Sequence, residues 1–145
     1  VVHVGDRGNI VVKGYDNKQV YLYSHWGGTS LPGTLTRALI AGEGRWNDEA
    51  YIARIIFAHM IEGTAVTDTT GFGISAGIGD NEHKFLVVNA VQQTVEVWSA
   101  DWDGTPEDFG WEQSYPIGEW VRLHSEDSRW GYLHDEDEFE RVVTP

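Results

Sequence analysis

Residues 21 to 28 read YLYSHWGG, with a histidine two places after a tyrosine and just ahead of paired glycines. A strand end beside a turn holds a side chain on a rigid scaffold while leaving its edge open. His25 in that position can act as a general base or as a hydrogen-bond donor to a ligand. The period of two along VYLYSHW places Tyr21, Tyr23 and His25 on one face and Val20, Leu22, Ser24 and Trp26 on the other. The second set is expected to serve the core. The first is amphipathic and suits water, a ligand or another subunit. A half-buried histidine bonded to a backbone carbonyl is the bland alternative. Base catalysis would need a carboxylate to orient the ring, from Asp6 or Asp48, which makes His25 and Asp48 the catalytic candidates.

Other groups can join a binding site. Asp6 and Arg7 form a charged pair between glycines in GDRGN, and Arg7 can reinforce the charge of a ligand pocket. Arg45 and Trp46, in EGRWND, combine a guanidinium with an indole, able to neutralise a phosphate and stack on a base. Their structural alternative is a hydrophobic staple at a helix start. The amides of Gly27 and Gly28 are possible donors to an anion. In GFGISAG, an extended chain would turn Gly73 and Ser75 to a face nearly without side chains, where a ligand or neighbour can approach the backbone closely. The candidate pocket therefore comprises Arg7, Tyr21, Tyr23, His25, Trp26, Gly27, Gly28, Arg45, Trp46, Gly73 and Ser75.

Several sharper motifs are missing. The glycine run has neither the GxGxxG spacing nor a GK[ST] that a nucleotide loop requires. DWDG at 101 to 104 opens like a calcium loop but lacks the glutamate at position twelve. No HExxH, GxSxG or cysteine nucleophile is present. His59 falls on the apolar face of a helix and reads as a satisfied core histidine. No metal site and no cofactor is expected.

The 145 residues carry 23 acidic and 10 basic side chains, a formal net charge of −13, and no cysteine. Seven scattered arginines and three lysines cannot supply the clustered charge that counterion release from nucleic acid requires. Low lysine with abundant carboxylates is the balance of a protein kept soluble in high salt, and equally of an acidic protein from an ordinary host. No run of eighteen apolar residues suggests a membrane span, and the charged N-terminus is unlike a signal peptide. The expectation is a soluble cytoplasmic protein without a nucleic-acid or membrane partner. Length and the lack of repeats indicate one domain over 1–145, with an acidic C-terminal segment, 124–145, expected to be partly flexible.

The elements that must position these groups follow from pattern. NIVVKGY and VYLYSHW flank DNKQ as a hairpin. Ser30, Pro32 and Gly42 punctuate a first helix with a stripe of Leu31, Leu35 and Leu39. Asn47 or Asp48 caps a second, whose Ile52, Ile55, Ile56, His59 and Met60 share a face. FLVVNAV has the continuous apolar character of a strand buried on both faces, and a break follows at Gln92 and Gln93. Loops, a short strand and a helical turn begun by Pro116 should complete the chain, with Trp120 and Leu123 inward.

GDRGNIVV, YLYSHWGG with its leucine-rich helix, RWNDEAYIARIIFAHMI and GFGIS together resemble a group of small proteins encoded by tailed phages and some actinobacteria and archaea. The likeness covers about residues 5 to 123, with GDR, SHWGG and RW as its specific parts. It implies a viral or mobile-element origin and, because that group has no assigned activity, no catalytic residue. The expected architecture is α+β, an antiparallel, largely meandering sheet of about five strands with two central helices on one face. The expected function is that of a phage or viral accessory protein, located in the host cytoplasm as a homo-oligomer and binding a small polar or nucleotide-like ligand, with sequestration of a host signalling molecule as one use. The alternatives are a small hydrolase using His25 as base, and a virion structural or interaction protein.

Overall fold

The computed structural model describes residues 5–64, 70–105 and 111–125. The acidic C-terminal segment lies, from residue 126 onward, outside the described residues.

The first hairpin forms where the pattern places it. Strands β1 (Gly8–Lys13) and β2 (Gln19–Ser24) pair antiparallel, Ile10 opposite Leu22 and Val12 opposite Val20. Their connection needs a left-handed backbone at Asp16 and Asn17, with φ of 59° and 56°. Asp and Asn are the non-glycine residues that tolerate this region best, which is why DNKQ can make the turn.

Two helices follow. Helix α1 (Leu31–Ala41) has Pro32 in its first turn and buries Leu31, Leu35, Ala38 and Leu39; Ser30 occupies the cap position without a side-chain hydrogen bond. Helix α2 (Glu49–Met60) is capped by Asp48, whose Oδ1 accepts from the Tyr51 amide at 3.1 Å. It buries Ile52, Ile56 and Met60. His59 Nδ1 donates to the Ile55 carbonyl at 3.0 Å, the local bond of a satisfied histidine.

Strands β3 (Phe72–Ser75), β4 (Phe85–Asn89), β5 (Thr94–Trp98) and β6 (Gln113–Pro116) complete a six-stranded sheet of order β3-β2-β1-β4-β5-β6. Helix α3 (Ile117–Ser125) follows directly. The fold is α+β, with a mostly antiparallel sheet and its helices on one face, as expected. Two details differ. The Pro116 region makes a full helix rather than a turn, and the sheet is not a meander, because β1 and β4 run parallel, Ile10 beside Leu86. The physical reason lies in β4. A strand apolar on both sides needs a neighbour on each edge and cover on each face, which a central position beside β1 supplies.

The sheet has a core on each face. Ile10, Val12, Leu22, Leu86, Val88, Val95 and Val97 meet the helices, with Trp120 and Ile117 of α3. On the other face Val11, Tyr21, Phe85, Val87 and Trp98 form a second cluster, with Ile78, Trp102 and Trp111 packed against it. Loops alone, among the described residues, cover that side. The connection from β3 to β4 passes across the N-terminal end of β1, where the Asn9 amide donates to the Asp80 carbonyl and to Asn81 Oδ1, both at 3.1 Å. No helix among the described residues is long and apolar enough to cross a membrane.

Candidate functional site

The polar groups gather where β2 ends, β1 begins and the 79–84 crossover passes. Three backbone bonds weld this corner: the Asp6 amide to the His25 carbonyl (2.7 Å), the Gly28 amide to the Asp6 carbonyl (2.7 Å) and the Glu82 amide to the Arg7 carbonyl (2.9 Å). Gly28 is required by closeness. A Cβ there would lie 2.6 Å from the His83 ring and 2.8 Å from the Asp6 carbonyl oxygen.

Asp6 is not paired with Arg7. Its Oδ1 accepts from His83 Nε2 at 2.5 Å and its Oδ2 from the Thr29 amide at 2.9 Å. Burial would raise this carboxyl, but the hydrogen bonds from Thr29 and His83 outweigh it and hold the group below its ordinary value. Arg7 turns to the crossover instead, with Nε on Glu82 (2.7 Å) and Nη1 on Asp80 (3.3 Å). That bond from Arg7 is the main reason the Glu82 carboxyl is also lowered.

A carboxyl lowered by folding takes up its proton at higher pH in the unfolded chain than in the native one. The stability it contributes is therefore complete above the unfolded values of about 3.9 for Asp and 4.3 for Glu, and is lost as pH falls through the native ones. Calorimetric scans should show the melting temperature dropping below about pH 4, with Asp6→Asn giving a shallower acid limb. An unchanged limb in that variant would remove Asp6 from the account.

Next to this pair, Tyr23 Oη and His25 Nδ1 lie 2.9 Å apart. Burial, then the charge of Asp80, pushes the Tyr23 phenol up, so it keeps its proton at neutral pH and can donate to Nδ1. In that arrangement the imidazole N–H sits on Nε2. Trp26 stands edge to face with His25, ring centroids 4.7 Å apart. It was expected in the core, yet it is 63 % exposed. The strand ends at Ser24, so the alternation no longer governs residue 26. Instead Trp26 lies over Gly71, where any Cβ would strike its ring.

The remaining expected site residues divide. Gly73 pairs with Tyr23 and Ser75 with Tyr21, so β3 does lie beside the tyrosine stripe. Tyr21, however, is 4 % exposed and hydrogen-bonded to Gln19 and the Gly104 carbonyl. It belongs to the second core because Trp102 covers it, ring centroids 6.5 Å apart. The Gly27 amide donates to Ser24 Oγ and the Gly28 amide to Asp6, so both are committed within the fold. Arg45 and Trp46 lie on the helix side of the sheet. Arg45 sits over the Tyr51 ring and 3.7 Å from Asp48, while Trp46 Nε1 donates to the Leu39 carbonyl and packs against the first core. Asp48, spent on capping α2, does not orient His25.

Compared with known proteins, the chain matches no family model, no curated protein and no solved structure. The site must be read from its own chemistry.

His83 and Glu82 escaped the sequence reading. They sit in a turn-rich DNEHK with no motif, and only the crossover brings them to Asp6 and Arg7. Around the imidazoles the corner holds three carboxylates, Asp6, Asp80 and Glu82, against the single guanidinium of Arg7. Among the described residues no group of three or more His, Asp or Glu side chains is arranged to hold a metal ion. A separate hollow of about 160 Å³ opens at the far end of β1, between Lys13, Asp16, Asn17 and Asn89.

Proposed function

We propose that the chain is a phage or viral accessory protein that binds a small, flat, polar ligand at this corner. The observation that carries the reading is the exposed Trp26 ring set edge-on to a His25 that Tyr23 holds in place. An open indole offers a stacking face, and the neighbouring imidazole and carboxylates offer directional hydrogen bonds. The ligand chemistry can be narrowed further. A phosphate has little to attract it, because Arg7 is matched by two acids, Arg45 is in the opposite layer and the glycine amides are in use. A neutral or cationic molecule of nucleobase or nucleoside size fits better than a nucleotide.

Calorimetric titration with nucleosides and their 5′-phosphates tests this. The nucleoside should bind more tightly than its phosphate. Trp26→Ala should weaken binding by about 1–3 kcal/mol, the range for removing one base–aromatic stack. Tighter binding of the phosphates, or a Trp26→Ala chain that binds as the parent does, would count against the reading.

A hydrolase remains the second reading, and one contact favours it. The Asp–His pair such chemistry needs is Asp6–His83, with Nδ1 of His83 bonded to no described residue and able to accept a proton from water. It predicts that His83→Ala abolishes turnover of a hydrolysable substrate while His25→Ala does not.

A further inference from the structure

The two edges of the sheet are finished differently. At β6 the edge carries Pro116, which has no N–H to offer, and Glu112 stands beside its start. Proline and charge are the usual guards against strand addition. At β3 there are none. From Thr70 to Gly79 the sequence TGFGISAGIG contains no charged residue, in a chain whose net charge is −13.

Among the described residues, the backbone of β3 has unpaired groups in a definite order. The His25 amide donates to the Gly71 carbonyl, which makes Gly71 a hydrogen-bonded partner of β2. Bonded and non-bonded pairs alternate along an antiparallel ladder, so Gly73 and Ser75 also face β2, while Phe72 and Ile74 turn their N–H and C=O outward. Ile74 is 61 % exposed on that edge.

We infer that β3 is a self-pairing edge, on which a second copy of this chain adds its own β3 antiparallel about a two-fold axis at Ile74. The occupant follows from charge and symmetry. A basic partner would be drawn to the acidic surface elsewhere and finds no counter-charge on this strand. An identical acidic chain is repelled everywhere except where both copies are neutral, and an antiparallel strand is complementary to itself. In this register Ile74 exchanges both backbone bonds with its symmetry mate, and Phe72 pairs with Ala76. The union makes a twelve-stranded sheet from two six-stranded ones. It is independent of the ligand proposed above.

Sedimentation velocity of the full chain at 0.15 M and 1 M salt tests the assembly. The expected species is a dimer, twice the 16.3 kDa chain, favoured at 1 M where the screening length shrinks to about 3 Å. Ile74→Lys should shift it to monomer with circular dichroism unchanged and with a melting temperature that no longer depends on protein concentration. Because the chain has no cysteine, a second variant gives a positional readout. Ile74→Cys should oxidise to a covalent dimer, since paired residues in a bonded antiparallel position lie about 5.5 Å apart, within disulfide reach. The exposed Val91→Cys should not. The proposal is overturned by a parent chain monomeric at both salts, by a folded Ile74→Lys that still dimerises, or by Val91→Cys cross-linking as readily. If Ile74→Lys fails to fold, the cysteine pair decides.

Discussion

Trp120→Ala should lower the unfolding free energy by about 3–5 kcal/mol, read from urea denaturation. Trp120 is fully buried and ties α3 to α1. Its indole Nε1 donates to Thr36 Oγ1 at 3.2 Å, and that hydroxyl in turn donates to the Pro32 carbonyl at 2.9 Å. The ring also packs on His124 and Tyr115, with centroids 4.1 and 6.1 Å away. Alanine would remove the packing and the donor together. Trp120→Phe keeps most of the volume and loses only the bond to Thr36, so a smaller loss of about 1 kcal/mol is expected. For a domain stabilised by about 5–15 kcal/mol the alanine variant sits close to unfolding. A loss under 1 kcal/mol would mean that α3 does not dock on α1 in solution.

Glu96→Ala should be comparably severe. Glu96 is 1 % exposed, on the helix-free face of β5 between valines. Its carboxylate accepts from Trp98 Nε1 (2.8 Å), Asn89 Nδ2 (3.2 Å) and Thr94 Oγ1 (3.3 Å). Each buried donor left without an acceptor costs about 1–3 kcal/mol, so losing the whole carboxylate should cost at least 3 kcal/mol. Glu96→Gln keeps one acceptor oxygen but turns an NH₂ toward donors, and about 1–3 kcal/mol is expected. The order alanine worse than glutamine is the discriminating result. If both variants melt like the parent, the network contributes nothing to stability.

Local features were legible in the residues. Proline at a helix start, Asp48 ahead of Glu49, the Asp-Asn turn and the apolar run of β4 each act over a few positions, and each formed as read. The inward face of α2 was legible for the same reason, because its period is set by the helix itself. What escaped depends on partners distant in the chain. Nothing near Ile10 says that Leu86 will lie beside it, so the parallel pair could not be read. Trp26 misled because alternation was carried two residues past the strand end. Glu96 was overlooked because the Asn89 donor comes from β4, although Thr94 and Trp98, two residues to either side on the same face of β5, were a usable signal. At the candidate site, Tyr23 and His25 were legible as part of one stripe, whose third member, Tyr21, is buried in the second core. Their companions His83 and Glu82 came only with the crossover.

The parallel pairing of β1 with β4 also governs how the chain must reach its native state. Two hairpins, β1 with β2 and β4 with β5, can form locally and quickly, each closing a loop of a few residues. Joining them as Ile10 meets Leu86 encloses both long helices and β3, so the loop entropy of that whole stretch is lost before the contact returns any energy. The central seam of the sheet is thus expected to close last, and Leu86→Ala should speed unfolding more than it slows refolding in stopped-flow measurements. Until it closes, the neutral edge of β3 and the apolar strand β4 are exposed together, and high protein concentration would favour aggregation over refolding.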